Sequence, residues 1–264
     1  MKKLSIRDIL AKKGKEKIVA ITAYDALFTK LFDENVDLIL IGDSLNMSFN
    51  GKKDTLDIDI NAMLYHTRAV CGAARHAYVV ADLPFGSYYD ERGAIKSSLK
   101  LIKQGGADAV KLEGGAKKAH LVRALSDEGI SVVGHIGLMP QSVRFEGGYL
   151  VKGRDEKQAQ GLLADALALQ EAGAVTIVLE GVISSVASEI TNAIKIPTIG
   201  IGSGADTDGQ ILVFSDMLGL FDEFVPKFVK RYMNGADLVR KTIKNYADEV
   251  RSGAFPSSEY EYKK

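Results

Sequence analysis

Eight short apolar runs, rich in Val and Ile, recur along this 264-residue chain at intervals that leave room for a helix between them. Nearly every residue within a run is apolar, which is the pattern of parallel strands buried on both faces of a sheet. Polar residues or glycines end each run. The predicted strands span residues 18–25, 38–44, 78–84, 109–114, 131–137, 176–181, 197–204 and 212–219.

Segments with helical spacing separate these runs, for example at 26–35, 60–75 and 158–172. Strand and helix therefore alternate, in a chain close to the ~250 residues typical of an eight-fold barrel. We predict an α/β fold, a (β/α)8 TIM barrel that forms a single catalytic domain over residues 1–264. Outside the barrel we predict an extra N-terminal helix at 5–13, a C-terminal helical segment at 222–250 and a polar tail at about 251–264.

Charges balance along the chain, with 34 Lys and Arg against 34 Asp and Glu. No net field therefore attracts nucleic acid or a membrane surface, and no apolar run approaches the ~20 residues of a spanning helix. We expect a small-molecule substrate, with no nucleic-acid and no membrane partner. The lone Cys71 excludes an internal disulfide, and the first residues lack the apolar core of a secretion signal, so we expect a cytoplasmic protein.

Polar side chains close five consecutive predicted strands, at the ends where barrels of this kind build their active sites. Any one acid after a strand has an ordinary explanation as a helix cap or a turn residue. Five strands together favour a functional site. The residues are Asp43 and Ser44 after strand two, Asp82 after strand three, Lys111 and Glu113 on strand four, His135 near the end of strand five, and Glu180 at the end of strand six.

Three of these acids, Asp43, Asp82 and Glu113, would repel one another in a confined site unless a cation or protons neutralised them. Carboxylate oxygens suit Mg²⁺ or Mn²⁺, whereas zinc prefers histidine and cysteine. We therefore predict one Mg²⁺ per subunit, held by these three acids. Lys111 and Glu113 are two apart on one strand and share its inner face, for which an internal ion pair is the alternative explanation.

A weak internal repeat aligns residues 105–114 with 172–181 and makes Glu113 and Glu180 equivalent positions. Both close even-numbered strands, which contribute to the same interior layer, so the two carboxylates are expected to face each other across the barrel mouth. His135 lies between glycines that allow close approach, which favours a functional role over a buried packing role. The other histidines, His66, His76 and His120, fall in helical segments and are interpreted as surface or packing residues.

A glycine-rich run at residues 200–204 follows predicted strand seven, and that loop binds phosphate in many barrels. The helix-opening context of a phosphate-binding loop is incomplete here, so the glycines can equally serve only to let the backbone turn. We expect Ser203 to line the pocket at most.

Ten motifs occur in a fixed order along the chain: ITAYDALFTKLFDE, LIGDSLNM, YHTRAV, VVADLPFGSY, AVKLEGG, VVGHIGLMPQSV, FEGGYLVKGR, IVLEGV, IPTIGIGSG and TDGQILV. These motifs and their order resemble the ketopantoate hydroxymethyltransferase family over about residues 18–232. The resemblance implies a Mg²⁺-dependent TIM barrel, a homo-oligomer and commonly a decamer. It implies transfer of a hydroxymethyl unit from 5,10-methylenetetrahydrofolate to the 2-oxo acid 3-methyl-2-oxobutanoate, through a Mg²⁺-stabilised enolate, giving 2-dehydropantoate for pantothenate biosynthesis.

The matching motifs also imply roles for individual residues. Asp43, Asp82 and Glu113 resemble the family's metal-associated acids, and Glu180 resembles its catalytic base. His135 is assigned the role of orienting or protonating the oxygen of the new hydroxymethyl group. The residues that resemble the family's substrate contacts are Asp43, Ser44, Asp82 and Lys111.

Two positions depart from the family pattern: Asn46 stands where many members have glycine, and Gly181 where others have cysteine. Because Asn tolerates a positive φ less freely than glycine, the loop after strand two is expected to differ in its turn. The place of the folate pocket stays open.

Two other functions fit the same fold. A metal-dependent lyase or mutase of the isocitrate lyase and phosphoenolpyruvate mutase type also handles 2-oxo acids, but those lyases use a cysteine in a KKCGH-like loop. Cys71 lies instead in AVCGAARHAY, on a predicted helix. A noncatalytic barrel would be expected to have lost acids or the base, all of which remain.

Overall fold

The computed structural model describes residues 2–263 and contains a closed barrel of eight parallel strands, β1 to β8 in chain order. Every strand pairs with its neighbours in sequence, and β8 closes on β1 with Ile18 opposite Gly209 and Ile21 opposite Leu212. The predicted (β/α)8 barrel is confirmed. The strands are β1 Ile18–Thr22, β2 Leu38–Ile41, β3 Tyr78–Asp82, β4 Ala109–Glu113, β5 Val132–Gly137, β6 Thr176–Glu180, β7 Thr198–Ile201 and β8 Gly209–Leu212.

Helices follow most strands, as the alternation predicts. A π-helical turn at Lys100–Gln104 extends α5, and 3₁₀ turns occur at Asp33–Asn35, Ala116–Lys118, Pro140–Ser142 and Ser258–Tyr260. The helices are α1 Ile6–Ala11, α2 Ala26–Phe32, α3 Leu45–Ser48, α4 Ile60–Ala73, α5 Glu91–Leu99, α6 Ala119–Asp127, α7 Val143–Glu146, α8 Glu156–Glu171, α9 Ser184–Ala193, α10 Phe214–Met217 and α11 Gly235–Ser252.

The chain divides into two compact units, one ending at Val213 and the other beginning at Phe214. The first holds the whole barrel with α1 to α9, and the second holds α10 and α11. The single domain expected over residues 1–264 therefore stays a prediction. Within residues 2–263, no helix is long and apolar enough to cross a membrane.

The barrel interior is apolar along most of its length. Ile9 of α1 is fully buried and packs with residues from the beginnings of the strands, such as Ile18, so the N-terminal helix closes that end of the barrel. Inward positions recur every second residue along a strand. On β3 to β6, one inward position of each strand holds an apolar core residue: Val80, Ala109, Val133 and Val178. The next inward position, two residues further along each strand, holds a polar residue: Asp82, Lys111, His135 and Glu180. Polar side chains therefore gather inside the C-terminal end.

The eighth strand was predicted wrongly, at 212–219. It runs Gly209–Leu212, and the chain then forms α10. The strand begins with Gly209 and Gln210, and a search for runs of apolar residues does not select these two positions. Glycine is required there, because a Cβ on Gly209 would lie 2.5 Å from the carbonyl oxygen of Ile18 on the paired strand.

Both helices predicted outside the barrel are present, with one correction. The N-terminal helix begins after its cap Ser5, whose backbone N–H donates to the Asp8 carboxylate at 2.8 Å. The C-terminal segment predicted at 222–250 is helical only from Gly235, which follows its cap residue Asn234. It ends at the left-handed Gly253. Of the predicted polar tail, Lys264 lies outside the described residues.

Candidate active site

One cavity of about 90 Å³ at the C-terminal end of the barrel is lined by all seven residues that the sequence singled out. Strand register brings them together: Asp82 on β3 lies opposite Lys111 on β4, and Glu113 on β4 lies opposite His135 on β5. Ser44 lies just beyond β2, and Glu180 is the last residue of β6. The convergence expected from the strand ends is therefore present in the structure.

Lys111 lies inside this cluster and is only 5% exposed. Its Nζ lies 3.0 Å from Asp82 Oδ1 and 3.2 Å from His135 Nδ1. Burial alone would lower the pKa of Lys111, but the carboxylates of Asp82, Glu113 and Asp43 outweigh burial and raise it. The ion pair that the sequence analysis considered was with Glu113 on the same strand, but Lys111 instead pairs with Asp82 on the neighbouring strand.

The three acids assigned to a metal are all buried around this lysine. Burial, followed by the nearby charges of Asp82 and Glu113, raises the pKa of Asp43 well above its ordinary value. Burial also raises the pKa of Asp82, although Lys111 opposes it. One lysine does not neutralise three buried carboxylates, so the cluster requires protons or a further cation.

One carboxylate oxygen of this cluster is available to a cation. Glu113 Oε1 is buried and makes no hydrogen bond, which is unfavourable for a carboxylate unless another partner binds it. Asp82 Oδ1 is already paired with Lys111 Nζ at 3.0 Å. Across residues 2–263, however, no group of three His, Cys, Asp or Glu side chains has an arrangement that could hold a metal ion. The residue types and the unbonded Glu113 oxygen fit the chemistry of Mg²⁺, and the ligand set stays a prediction.

Gln141, which the sequence analysis did not single out, connects two of these acids. It lies in the 3₁₀ turn after β5 and is 6% exposed. Its backbone N–H donates to Glu113 Oε2 at 3.0 Å, and its side-chain Nε2 donates to Asp43 Oδ2 at 2.8 Å and to the carbonyl of Leu83 at 3.0 Å. The hydroxyl of the buried Tyr88 donates to Gln141 Oε1.

Ser44 is oriented by a second residue that sequence reasoning missed. Its Oγ lies 2.8 Å from the hydroxyl oxygen of Tyr24, which is fully buried. His66 Nδ1 lies 2.6 Å from the backbone carbonyl oxygen of Tyr24, and the interpretation of this histidine as a surface or packing residue stays a prediction. Tyr24 and Tyr88 occur in segments that carry the family resemblance, but only the fold brings their hydroxyls next to Ser44 and Gln141.

His135 connects the acid cluster to Glu180. Its Nε2 lies 3.2 Å from Glu180 Oε2, and its Nδ1 lies 3.5 Å from Glu113 Oε1. Burial and the charge of Lys111 lower the pKa of His135, but the nearby carboxylates of Glu113 and Glu180 outweigh them and raise it to about 9. The Glu180 side chain is 18% exposed, against 4% for Glu113 and 3% for Asp82, so it is the more accessible carboxylate.

The backbone that carries Glu180 is held on both sides. Gly181 adopts a φ of +56°, which glycine takes without strain. Ser203 is 1% exposed; its hydroxyl donates to the carbonyl of Leu179 at 2.7 Å and accepts from the N–H of Val182 at 3.1 Å. Ser203, expected to line the pocket at most, does not line this cavity, and its hydroxyl instead fixes the end of β6.

Asn46 does not form the altered turn expected of it. It lies within α3, and no residue other than glycine has a positive φ in the described part of the chain. Its buried amide donates to the carbonyl of Asp54 at 2.9 Å and to the side chain of Asp57, and accepts from Asn50 Nδ2 at 3.0 Å. Asn46 therefore holds the loop between α3 and α4, where a glycine would make none of these bonds.

Comparison with known proteins identifies close relatives. The family described as ketopantoate hydroxymethyltransferase matches residues 3–258. A 3-methyl-2-oxobutanoate hydroxymethyltransferase from Campylobacter concisus (strain 13826) is 58% identical over 262 residues, which cover 99% of this chain and 97% of that protein. The protein of the same name from Helicobacter pylori (strain Shi470) is 58% identical over 257 residues, covering 97% of this chain and 95% of the relative.

Solved structures share the fold at much lower identity. A 2,3-dimethylmalate lyase of the PEP mutase/isocitrate lyase superfamily aligns with a TM-score of 0.63 at 15% identity, covering 98% of this chain and 92% of the other. Phosphonopyruvate hydrolase in complex with oxalate and Mg²⁺ aligns with a TM-score of 0.59 at 14% identity, covering 97% and 93%. At these identities the likeness shows the barrel fold alone.

Proposed function

The chain belongs to the ketopantoate hydroxymethyltransferase family, and on that premise we propose that it transfers a hydroxymethyl unit from 5,10-methylenetetrahydrofolate to 3-methyl-2-oxobutanoate. The product would be 2-dehydropantoate, for pantothenate biosynthesis. The proposal extends to a homo-oligomer, a decamer as the family resemblance implies, in the cytoplasm.

The observation that supports the proposal most directly is that the acids of the cavity form two groups, a buried cluster and a separate, more exposed glutamate. Asp43, Asp82 and Glu113 surround Lys111 in a buried cluster. Glu180, at the end of β6, has a more exposed side chain and lines the same cavity. A 2-oxo acid needs both kinds of group, because its oxygens require positive charge while its C3 carbon requires a base.

Asp43, Asp82 and Glu113 would hold one Mg²⁺, which fits their oxygen chemistry and the buried Glu113 oxygen that makes no hydrogen bond. When bound, the metal ion would stabilise the negative charge that develops on the keto oxygen as C3 loses its proton. Lys111 adds a fixed positive charge near the substrate oxygens. Ser44, oriented by Tyr24, offers its hydroxyl to the substrate carboxylate.

Glu180 accepts the proton from C3, and the C–H electron pair becomes the C2–C3 double bond of the enolate. Water adds to the methylene carbon of the folate and both of its C–N bonds break, which releases tetrahydrofolate and leaves the carbon as formaldehyde. C3 of the enolate then attacks this carbon, and its oxygen becomes the alkoxide of the new hydroxymethyl group. His135, beside Glu180, orients or protonates this oxygen. The proposal therefore gives Glu180 the role of base and leaves the cluster acids to the metal.

The cavity lacks the cysteine that lyases of the alternative group use. Cys71 lies in α4 and not among the cavity residues, and burial raises the pKa of its thiol to about 12. A thiol of this kind carries little thiolate at neutral pH. Its surroundings therefore favour the transferase over a cysteine-dependent lyase.

The direct test is to incubate purified protein with Mg²⁺, 3-methyl-2-oxobutanoate and 5,10-methylenetetrahydrofolate and to follow 2-dehydropantoate by NMR. We expect the product only when both organic substrates are present. Product formation from the 2-oxo acid without folate would contradict the folate as donor. Cleavage of a C–C or C–P bond in substrates of the lyase and mutase group, without hydroxymethyl transfer, would support the alternative.

Removal of divalent metal is expected to abolish turnover, because the buried acids would then lack the cation that prepares the 2-oxo acid for deprotonation. The protein is treated with a chelator, desalted and assayed before and after Mg²⁺ is returned. We expect activity to fall to background and to recover on addition. Undiminished turnover after rigorous chelation would contradict the metal assignment.

His135→Asn is expected to lower kcat by about 10²-fold, at the low end of the range for a group that moves a proton. The shorter amide does not reach Glu180 and Lys111 together as the imidazole does. His120→Asn, on α6, is the matched control and should keep the activity of the parent protein. Near-normal turnover in His135→Asn would remove His135 from the mechanism.

A further inference from the structure

Gln141 joins residues that are far apart in the sequence. Its amide lies 98 positions from Asp43 and 53 from Tyr88, yet contacts both in the interior at the barrel mouth. Tyr88 also lies 3.4 Å from the backbone nitrogen of Glu113, with its hydroxyl oxygen in position to accept. Gln141, Tyr88, Asp43 and Glu113 therefore form a four-residue network that includes two of the predicted metal ligands.

In both predicted metal ligands, Asp43 and Glu113, the two carboxylate oxygens differ in their contact with Gln141. Gln141 binds one oxygen of each carboxylate, Oδ2 of Asp43 through its side chain and Oε2 of Glu113 through its backbone. The other oxygen of Glu113, Oε1, is buried and makes no hydrogen bond. Gln141 therefore fixes which oxygen of each carboxylate accepts a hydrogen bond from it and which oxygen remains for another partner.

The Gln141 amide has only one orientation that satisfies its neighbours. The Leu83 carbonyl accepts only, and the Asp43 carboxylate accepts when ionised, so both require the NH₂ group. The Tyr88 hydroxyl then donates to the remaining Oε1. A flipped amide would place its oxygen against two acceptors, so Tyr88 and Leu83 together fix the donor on Asp43.

We propose that Gln141, held by Tyr88, is a positioning residue that presents Asp43 and Glu113 to the divalent metal. The inference rests on the metal of the proposed function and goes beyond it, because neither Gln141 nor Tyr88 is a ligand. Hydrogen-bond partners of metal ligands fix the ligand geometry, and their loss typically lowers metal affinity by about 10–100-fold.

The test is a Mn²⁺ titration followed by electron paramagnetic resonance, without substrate, on the wild type, Gln141→Met, Tyr88→Phe and the double variant. Methionine keeps the volume of glutamine and the backbone N–H to Glu113 but lacks the amide. We expect Gln141→Met to bind Mn²⁺ about 10–100-fold more weakly and Tyr88→Phe to show a smaller loss. The double variant should match Gln141→Met, because Tyr88 acts through Gln141.

Thr191→Val is the matched control, since it removes another buried hydrogen bond, the 2.8 Å contact between the hydroxyls of Thr191 and Thr198, among residues that do not line the cavity. It should lower the melting temperature and leave Mn²⁺ affinity unchanged. Circular dichroism confirms that each titrated variant is folded.

Each outcome separates this inference from the proposed function. If the wild type binds no Mn²⁺, the metal assignment itself fails. If the wild type binds Mn²⁺ and Gln141→Met binds it equally well, Gln141 does not position the ligands. Should Gln141→Met not fold, Tyr88→Phe alone decides, and unchanged affinity in that variant overturns the inference. Additive losses in the double variant would show that Tyr88 does not act through Gln141 and would likewise contradict it.

Discussion

Replacement of Glu180 by glutamine is expected to lower kcat by about 10²–10⁴-fold, the range typical of a general base. Glutamine has the size of glutamate but cannot take the C3 proton. Because Glu180 stands outside the buried cluster around Lys111 and has an 18% exposed side chain, its loss should leave binding of the 2-oxo acid largely intact. The measurements are kcat and the dissociation constant of 3-methyl-2-oxobutanoate in the presence of Mg²⁺.

The matched control for this variant is Glu189→Gln, which makes the same chemical change on an exposed face of α9. It should retain the kcat of the parent protein. If Glu180→Gln turns over at the rate of Glu189→Gln, Glu180 is not the base. If Glu180→Gln loses binding of the 2-oxo acid as severely as turnover, its role is to hold the substrate.

Lys111→Met is expected to lower the free energy of unfolding by about 3–5 kcal/mol in the absence of metal. The substitution removes the buried cation whose Nζ lies 3.0 Å from Asp82 and whose charge opposes the raised pKa values of Asp43 and Asp82. Asp82 would be left buried without its ion-pair partner. Urea denaturation, measured with and without Mg²⁺, gives the two free energies.

Added Mg²⁺ should restore part of this loss, since a ligand that binds only the folded state stabilises it by about 2.7 kcal/mol at 100 times its Kd. The control is Lys152→Met. Lys152 pairs with Glu146 at 2.5 Å, and its side chain is 23% exposed. Because the pair is partly solvated, its loss should cost under about 1 kcal/mol. Equal losses in the two variants would contradict the account of a charged interior at Lys111.

The cavity residues could be predicted from the sequence because the barrel imposes a simple rule on them. Apolar runs end where strands end, and the polar residues that follow lie at one end of the barrel. Period-two alternation places Lys111 and Glu113 on the same inner face. Once the strands were assigned, the seven residues could be expected to meet without knowledge of any loop.

Gln141, Tyr24 and Tyr88 could not be found in the same way. Each lies outside the strands, in a segment whose path depends on contacts with distant parts of the chain, such as the 98 positions between Gln141 and Asp43. Gln141 follows Pro140 in a short 3₁₀ turn, which composition alone reads as an ordinary loop. The signal that the sequence did offer was that all three residues lie within the family motifs ITAYDALFTKLFDE, VVADLPFGSY and VVGHIGLMPQSV.

The errors have physical causes of the same kind. The prediction of β8 failed because close packing against β1 selects Gly209 over an apolar residue. Asn46 was expected to alter a turn, yet it lies in a helix and bonds to Asp54 and Asp57. Ser203 was expected to line the pocket at most, but its hydroxyl is used between Leu179 and Val182. Each depended on a tertiary contact that local propensity does not contain.

The central claim is that the cavity removes the C3 proton of a 2-oxo acid with Glu180 as base and a divalent metal on the buried acids. Exchange of that proton with solvent deuterium, followed by NMR on 3-methyl-2-oxobutanoate without folate, tests it most directly. We predict exchange by the wild type with Mg²⁺, and only background exchange after chelation or in Glu180→Gln. Exchange at the wild-type rate in the chelated protein or in the Glu180→Gln variant would contradict it.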